Sequence, residues 1–339
     1  MNSRASYVSS GFLLIVLLFS LVGCQSQPTL TQIDAFGVSA SSLADGSKEG
    51  FQLVDDVTVM RNVYDIASDS SKFPKEDTFR GLFSVPLAAT PTDIPPVTSM
   101  PALPPKPTTA EGIKVRLAVL SSLGKYSNAL HELATADFRK DIDSAATDLD
   151  GALKGLRDDY GKATGKTSSI SDQSIASIAT AVDAIGAVIV EEKRRAAIAK
   201  IINEADKGVQ EAAKLLADDF DAGAGKIPDY VTQSLRNAAG SLQQAYSTER
   251  TKPTSDFATR YRMLIDIQNA YQLADAAPSF FASIVGGAKS MATAHTALVA
   301  AVKDNKFTSS EIVDDIGGLV RYAQSVQQFY KTLQAAKTK

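Results

Sequence analysis

The 339-residue chain has one cysteine, two histidines and no tryptophan, and only 7% of it is aromatic. A single thiol closes no disulfide within the chain, so the fold stands by packing alone. Metal ligands are scarce too. There is no His-x-x-x-His, and the residues three before His131 and His295 are Asn128 and Ala292 rather than the glutamate that metal sites in bundles use. Charge of one sign is also missing. The formal net charge is −3, and no basic patch is sustained. Lys193-Arg194-Arg195 follows Glu191-Glu192 and reads as a solvated helix face with local ion pairs, so nucleic acid is not the expected partner.

The signatures of catalysis are absent as well. No Gly-x-Ser-x-Gly elbow occurs, and Gly161-Lys-Ala-Thr-Gly165-Lys166-Thr167 shares only the end of a phosphate loop, without its spacing or a preceding strand. Asp158-Asp159, Asp218-Asp219 and Asp314-Asp315 are neighbours that point about 100° apart on a helix, which suits helix ends and solvated faces better than acid–base pairs. The expectation is a protein that is not an enzyme and holds no cofactor.

What is present is helical periodicity. From Glu111 to Tyr160 there is no proline, and steps of three and four from Ile113 land on Leu117, Leu120, Gly124, Ser127, His131, Ala134 and Phe138, then Ile142, Ala145, Leu149, Leu153 and Leu156. A continuous helix of that length would be about 75 Å long and could bury its stripe only against partners. Strong stops divide the rest into rods at 171–223, 227–276 and 279–337. Ser171 stands as an N-cap, and Pro228 and Pro278 open the third and fourth rods. Breaks fall at Thr251-Lys-Pro253 and near Asn305, where Thr308-Ser-Ser-Glu311 has capping-box spacing.

The fold class that follows is all-α: an elongated up-down-up-down bundle of long helices, about 50 residues each and some kinked, with coiled-coil-like seams. Two smaller stacked bundles, with the breaks acting as true turns, are the alternative. A further periodic run begins at Pro28 and passes through Ile33, Phe36, Ala40, Leu43, Phe51, Val54 and Val57. It forms one helix of up to about forty residues, or two broken near Gly46, since Gly37, Gly46 and Gly50 weaken it.

Phe73-Pro74-Lys75-Glu76-Asp77 then reads as a helix start, with Phe79, Leu82 and Phe83 docking a short helix on the main body. Eight prolines between Pro86 and Pro107 exclude a helix there and predict polyproline II. This stretch is a strap along the bundle, which its apolar residues favour, or else a free spacer or an adaptor-binding ligand. The chain thus divides at 1–23, 24–85, 86–110 and 111–339.

The first of these segments is a signal. Arg4 is followed by the apolar run Gly11–Leu21, too short to span a membrane comfortably, and then by Leu21-Val22-Gly23-Cys24. That tetrapeptide resembles the lipobox of bacterial lipoproteins. The resemblance covers the first two dozen residues only. It implies a diacylglycerated Cys24, cleavage just before it, and acylation of the new N-terminus, with palmitate as the expected chain. Gln25 in place of aspartate implies sorting to the outer membrane. The expected partners are therefore the lipid membrane, through acylated Cys24, and an envelope protein of unstated identity. The expected role is that of a lipid-anchored scaffold or binding module facing the periplasm.

Two other readings stay open. His131 and His295 occupy seam positions where leucine would be expected, and as residues that titrate near neutrality they are candidate pH-sensitive positions of a sensing bundle. Between Ala276 and Val302 only Lys289 is charged, so this slim segment could insert in a membrane, as helical pore-formers do. Its Ser, Thr and His content opposes that.

Overall fold

The computed structural model describes residues 28–68, 110–185, 191–304 and 310–337. Cys24, the signal segment, the proline-rich stretch 86–107 and the break at Asn305 lie outside them. The described residues form eight helices: α1 (Pro28–Ser68), α2 (Ala110–Thr135), α3 (Arg139–Thr164), α4 (Asp172–Asp183), α5 (Glu191–Phe220), α6 (Ile227–Glu249), α7 (Phe257–Asp304) and α8 (Ser310–Lys337). They contain no strand and pack as an all-α bundle around one core that runs from Ile33 in α1 to Val326 in α8.

The bundle is organised around α1. It packs against α2, α6, α7 and α8, and its buried residues point in almost every direction: Ile33, Phe36, Ala40, Leu43, Ala44, Phe51, Leu53, Val54 and Val57, with Ser39, Ser41 and Ser47 among them. A helix enclosed this way needs small side chains where its neighbours cross. The glycines that weaken α1 by propensity supply them. A Cβ at Gly37 would stand 2.6 Å from the carbonyl oxygen of Ser127, and one at Gly50 would stand 3.0–3.1 Å from Phe220 and Ile284. Ser47 keeps its buried hydroxyl satisfied by donating to the Leu43 carbonyl at 2.7 Å.

Several rods expected to be continuous are broken. The Glu111–Tyr160 rod folds back on itself at Ala136–Phe138, making α2 and α3 an antiparallel hairpin in which Gly155 lies against Ser122. Phe138, a stripe position in a continuous helix, instead precedes α3 with extended backbone (φ −125°, ψ 150°) and is 71% exposed. The Asp141 carboxylate accepts from its N–H at 3.3 Å and so starts the new helix. The 171–223 rod is likewise two helices, α4 and α5, opened by Ser171, whose hydroxyl accepts from the Ser174 N–H at 3.0 Å.

The third rod divides where expected, at Pro253, but the expected boundary at Pro278 is not one. The stretch around Pro253 is a true turn between α6 and α7, whereas Pro278 lies inside the 48-residue α7. Its neighbour Ala277 and, one turn back, Ala274 are buried, so packing holds the helix through the missing hydrogen bond.

The segment considered for insertion belongs to the core. Phe281, Ile284, Ala288, Met291 and Leu298 are buried, and no helix among the described residues is long and apolar enough to cross a membrane.

The close approach at Gly37 sets a test. Gly37→Ala is expected to lower unfolding free energy by about 1–3 kcal/mol, because the clash is with backbone that cannot yield. Gly151→Ala, where a Cβ meets nothing within 4 Å, should instead raise it by about 0.4–1 kcal/mol. Denaturant titration of the two variants makes the comparison.

Candidate functional site

His295 of α7 is fully buried, and both ring nitrogens are engaged by other helices. Nε2 lies 2.8 Å from the hydroxyl of Tyr126 in α2, and Nδ1 lies 2.9 Å from Oδ1 of Asp206 in α5. Phe36 of α1 meets the ring edge-on, with centroids 5.5 Å apart. Gln210, one turn along α5 from Asp206, donates to the Ala292 carbonyl (2.8 Å), to Thr296 Oγ1 (3.0 Å) and to Asp206 Oδ1 (3.3 Å). Four helices therefore meet at one imidazole.

The electrostatics assign the protons. The hydrogen bond from His295 holds the Asp206 carboxyl below its usual value, against the opposing effect of burial. Asp206 is thus a carboxylate and accepts from Nδ1–H, which leaves Nε2 to accept from the Tyr126 hydroxyl. Burial, reinforced by the nearby Asp206 charge, pushes the Tyr126 hydroxyl well above its ordinary value, so it stays a donor. Both ring nitrogens of His295 and the Tyr126 hydroxyl are thus paired.

The order hydroxyl, imidazole, carboxylate is that of a nucleophilic relay. It differs from one in access, because Tyr126 and His295 are wholly enclosed. What the arrangement does is fix α2, α5 and α7 in register: a fully paired buried network resists any slip that would leave one of its members unpaired.

His131 takes a different position. It is about two-fifths exposed on α2 and bonds through Nδ1 to the Asp34 carboxylate of α1, beside the close approach at Gly37. The two histidines thus face the same early turns of α1, each with an aspartate from a neighbouring helix. Cys24 lies outside the described residues.

Tyr126, Asp206, Asp34 and Gln210 were not singled out from the sequence. Tyr126 falls off the stripe that marks α2, and its only signal is a large polar residue next to a seam serine in a helix clasped between α1 and α3.

Two expectations about charge need correction. Arg194 is not solvated: it is buried and donates to the Ala136 carbonyl at 2.5 Å and to the Glu191 carboxylate, clasping the α2–α3 turn. Asp219 does not lie on a free face either, because it accepts from Arg116 Nε at 2.7 Å. Burial raises the Asp219 carboxyl above its usual value in spite of that guanidinium. The loop that resembles part of a phosphate cradle is filled from within. Gly165 adopts φ 70°, and the Glu211 carboxylate accepts from Ser168 Oγ and from both the N–H and the hydroxyl of Ser169.

Comparison with known proteins finds no matching family model, no matching curated protein and no matching solved structure.

The network gives a pH prediction. A carboxyl whose folded value is depressed adds stability that is complete above its ordinary value, about 3.9, and is lost as pH falls through the folded value. Asp206→Asn should therefore flatten the acid limb of stability below about pH 4. Tyr126→Phe, which leaves Nε2 without a donor, should cost about 1–3 kcal/mol at neutral pH. Urea unfolding across that pH range reads both effects.

Proposed function

We propose that this chain is a lipid-anchored bacterial envelope protein without enzymatic activity, a rigid helical scaffold or binding module on the periplasmic side of the outer membrane. One observation carries the reading: α1 begins at Pro28, four residues after Cys24, and from Ile33 to Val57 it is largely enclosed by its neighbours. An acyl group on Cys24 would then connect to the core through a link of about 14 Å at full extension. Envelope lipoproteins that swing on a tether need a long polar linker, and this chain has none between the lipobox and its central helix.

The anchor would hold the bundle with the N-terminal end of α1 toward the lipid. From there α1 extends about 60 Å. Several acyl chains contribute about 0.8 kcal/mol per buried methylene, which is sufficient for stable attachment. The enclosure of the Tyr126–His295–Asp206 network favours a scaffold over an enzyme, since its groups are spent on each other. The partner that such a scaffold would serve is an envelope protein.

Metabolic labelling with a fatty-acid analogue tests the anchor. The wild-type chain should be labelled and recovered with outer-membrane lipid, while Cys24→Ser should be unlabelled. Equal labelling of the two would contradict the proposal.

A further inference from the structure

The N-terminal part of α7 carries a row of apolar side chains that the described bundle leaves uncovered. Phe257, Tyr261, Leu264 and Tyr271 are 74%, 56%, 45% and 39% exposed. They recur at helical spacing along one side of the helix, and the rings of Phe257 and Tyr261 stack with centroids 5.9 Å apart. This side borders the seam with α6, which is made by Ile267 and Ala270 against Ala239 and Leu242, and at its far end the Tyr271 hydroxyl donates to Gln243 of α6 at 3.1 Å. Isolated exposed apolar residues are ordinary, but four large ones on one side of a helix, interrupted only by Gln268, mark a surface that something covers.

Chain connectivity names the occupant. The first 27 residues join α1 at the opposite end: Phe36 of α1 meets His295, and from there α7 runs about 57 Å before reaching Phe257, so about 17 of them would be used in extended chain before the row begins. Residues 186–190, 305–309 and 338–339 are too few to cover the row. Residues 69–109 leave from Ser68 instead. The antiparallel register of α1 with α7 (Leu43 against Gly287, Gly50 against Ile284) brings Ser68 to the level of Arg262–Asp266, within the row. The chain returns at Ala110, where α2 begins. The gap between those helix ends is on the order of 20 Å by helical rise. Forty-one residues extend about 135 Å, so ample chain is left over.

We propose that residues 69–85 dock on α7 through Phe79, Leu82 and Phe83, covering Phe257, Tyr261, Leu264 and Tyr271. The chemistry matches, aromatic and aliphatic residues on both sides, and the tether to α1 gives this segment a high effective concentration over any separate partner. The proposal is independent of the lipid anchor.

Because the chain has no tryptophan, Tyr261→Trp is a sole reporter in the full chain. Its emission should be blue-shifted and shielded from a soluble quencher at all protein concentrations. Adding Phe79→Ser, Leu82→Ser and Phe83→Ser should abolish both the blue shift and the shielding. Exposed emission in the parent variant, or shielding that survives the triple change, would overturn the proposal. So would a blue shift that grows with concentration, which identifies a second copy as the occupant. A photo-crosslinker at Leu264 in the otherwise unaltered chain provides a second measurement. Capture of 69–85 peptides from the same chain supports the proposal, and capture of other peptides alone, or of nothing, contradicts it.

Discussion

A helix can be surrounded by neighbours only if its own side chains leave room for them, and α1 meets that condition with glycine, alanine and serine. Gly37 lets the α2 backbone approach, Gly46 accommodates Val326 of α8, and Gly50 accommodates Phe220 and Ile284. Each glycine lowers the intrinsic helicity of α1 by up to about 1 kcal/mol relative to alanine. The burial of Phe36, Leu43, Phe51 and Val54 contributes more, roughly 1.5–3 kcal/mol for each large apolar side chain. Packing therefore makes α1 helical, and α1 in turn gives α2, α6, α7 and α8 a common surface.

The polar groups in this core follow the same logic. His295 would be a liability among Phe36, Met291 and Leu298 were it not held at both nitrogens. Asp206 and Tyr126 meet that need from two other helices. The Arg116–Asp219 pair joins the start of α2 to the end of α5, and burial there acts against the ion pair on the carboxylate. Thr58 and Tyr230 join α1 to α6 through hydroxyls 3.0 Å apart. These links add little net energy beyond the hydrophobic term, but they distinguish one helix register from its neighbours.

The all-α class was legible in the sequence, because a 3.6-residue period needs no tertiary context to be seen. So was the α7 seam, where Phe281, Ile284, Met291 and Leu298 fell inward as spaced. The turns were harder. Thr135-Ala-Asp-Phe-Arg has no glycine or proline, and a stripe that ends at Ala134 and resumes at Ile142 keeps its phase across a tight hairpin, so two helices look like one. Pro278 is the opposite case, a strong local signal overridden by burial on both sides of it. The centrality of α1 was obscured because its exposed edge, Val38, Asp45, Gln52 and Asp56, is narrow and partly apolar, so its faces contrast little. The network at His295 needed three-dimensional neighbours, since Tyr126 and Asp206 lie far from it in sequence.

If α1 is the element on which the bundle depends, its amides should open only when the whole bundle does. Native-state hydrogen exchange resolved along the chain measures this directly. The account predicts that amides from Ala40 to Val54 exchange at the rate of global unfolding and are among the slowest in the molecule. Fast exchange of α1, with α2, α5 and α7 still protected, would show that the bundle stands without it and contradict the account.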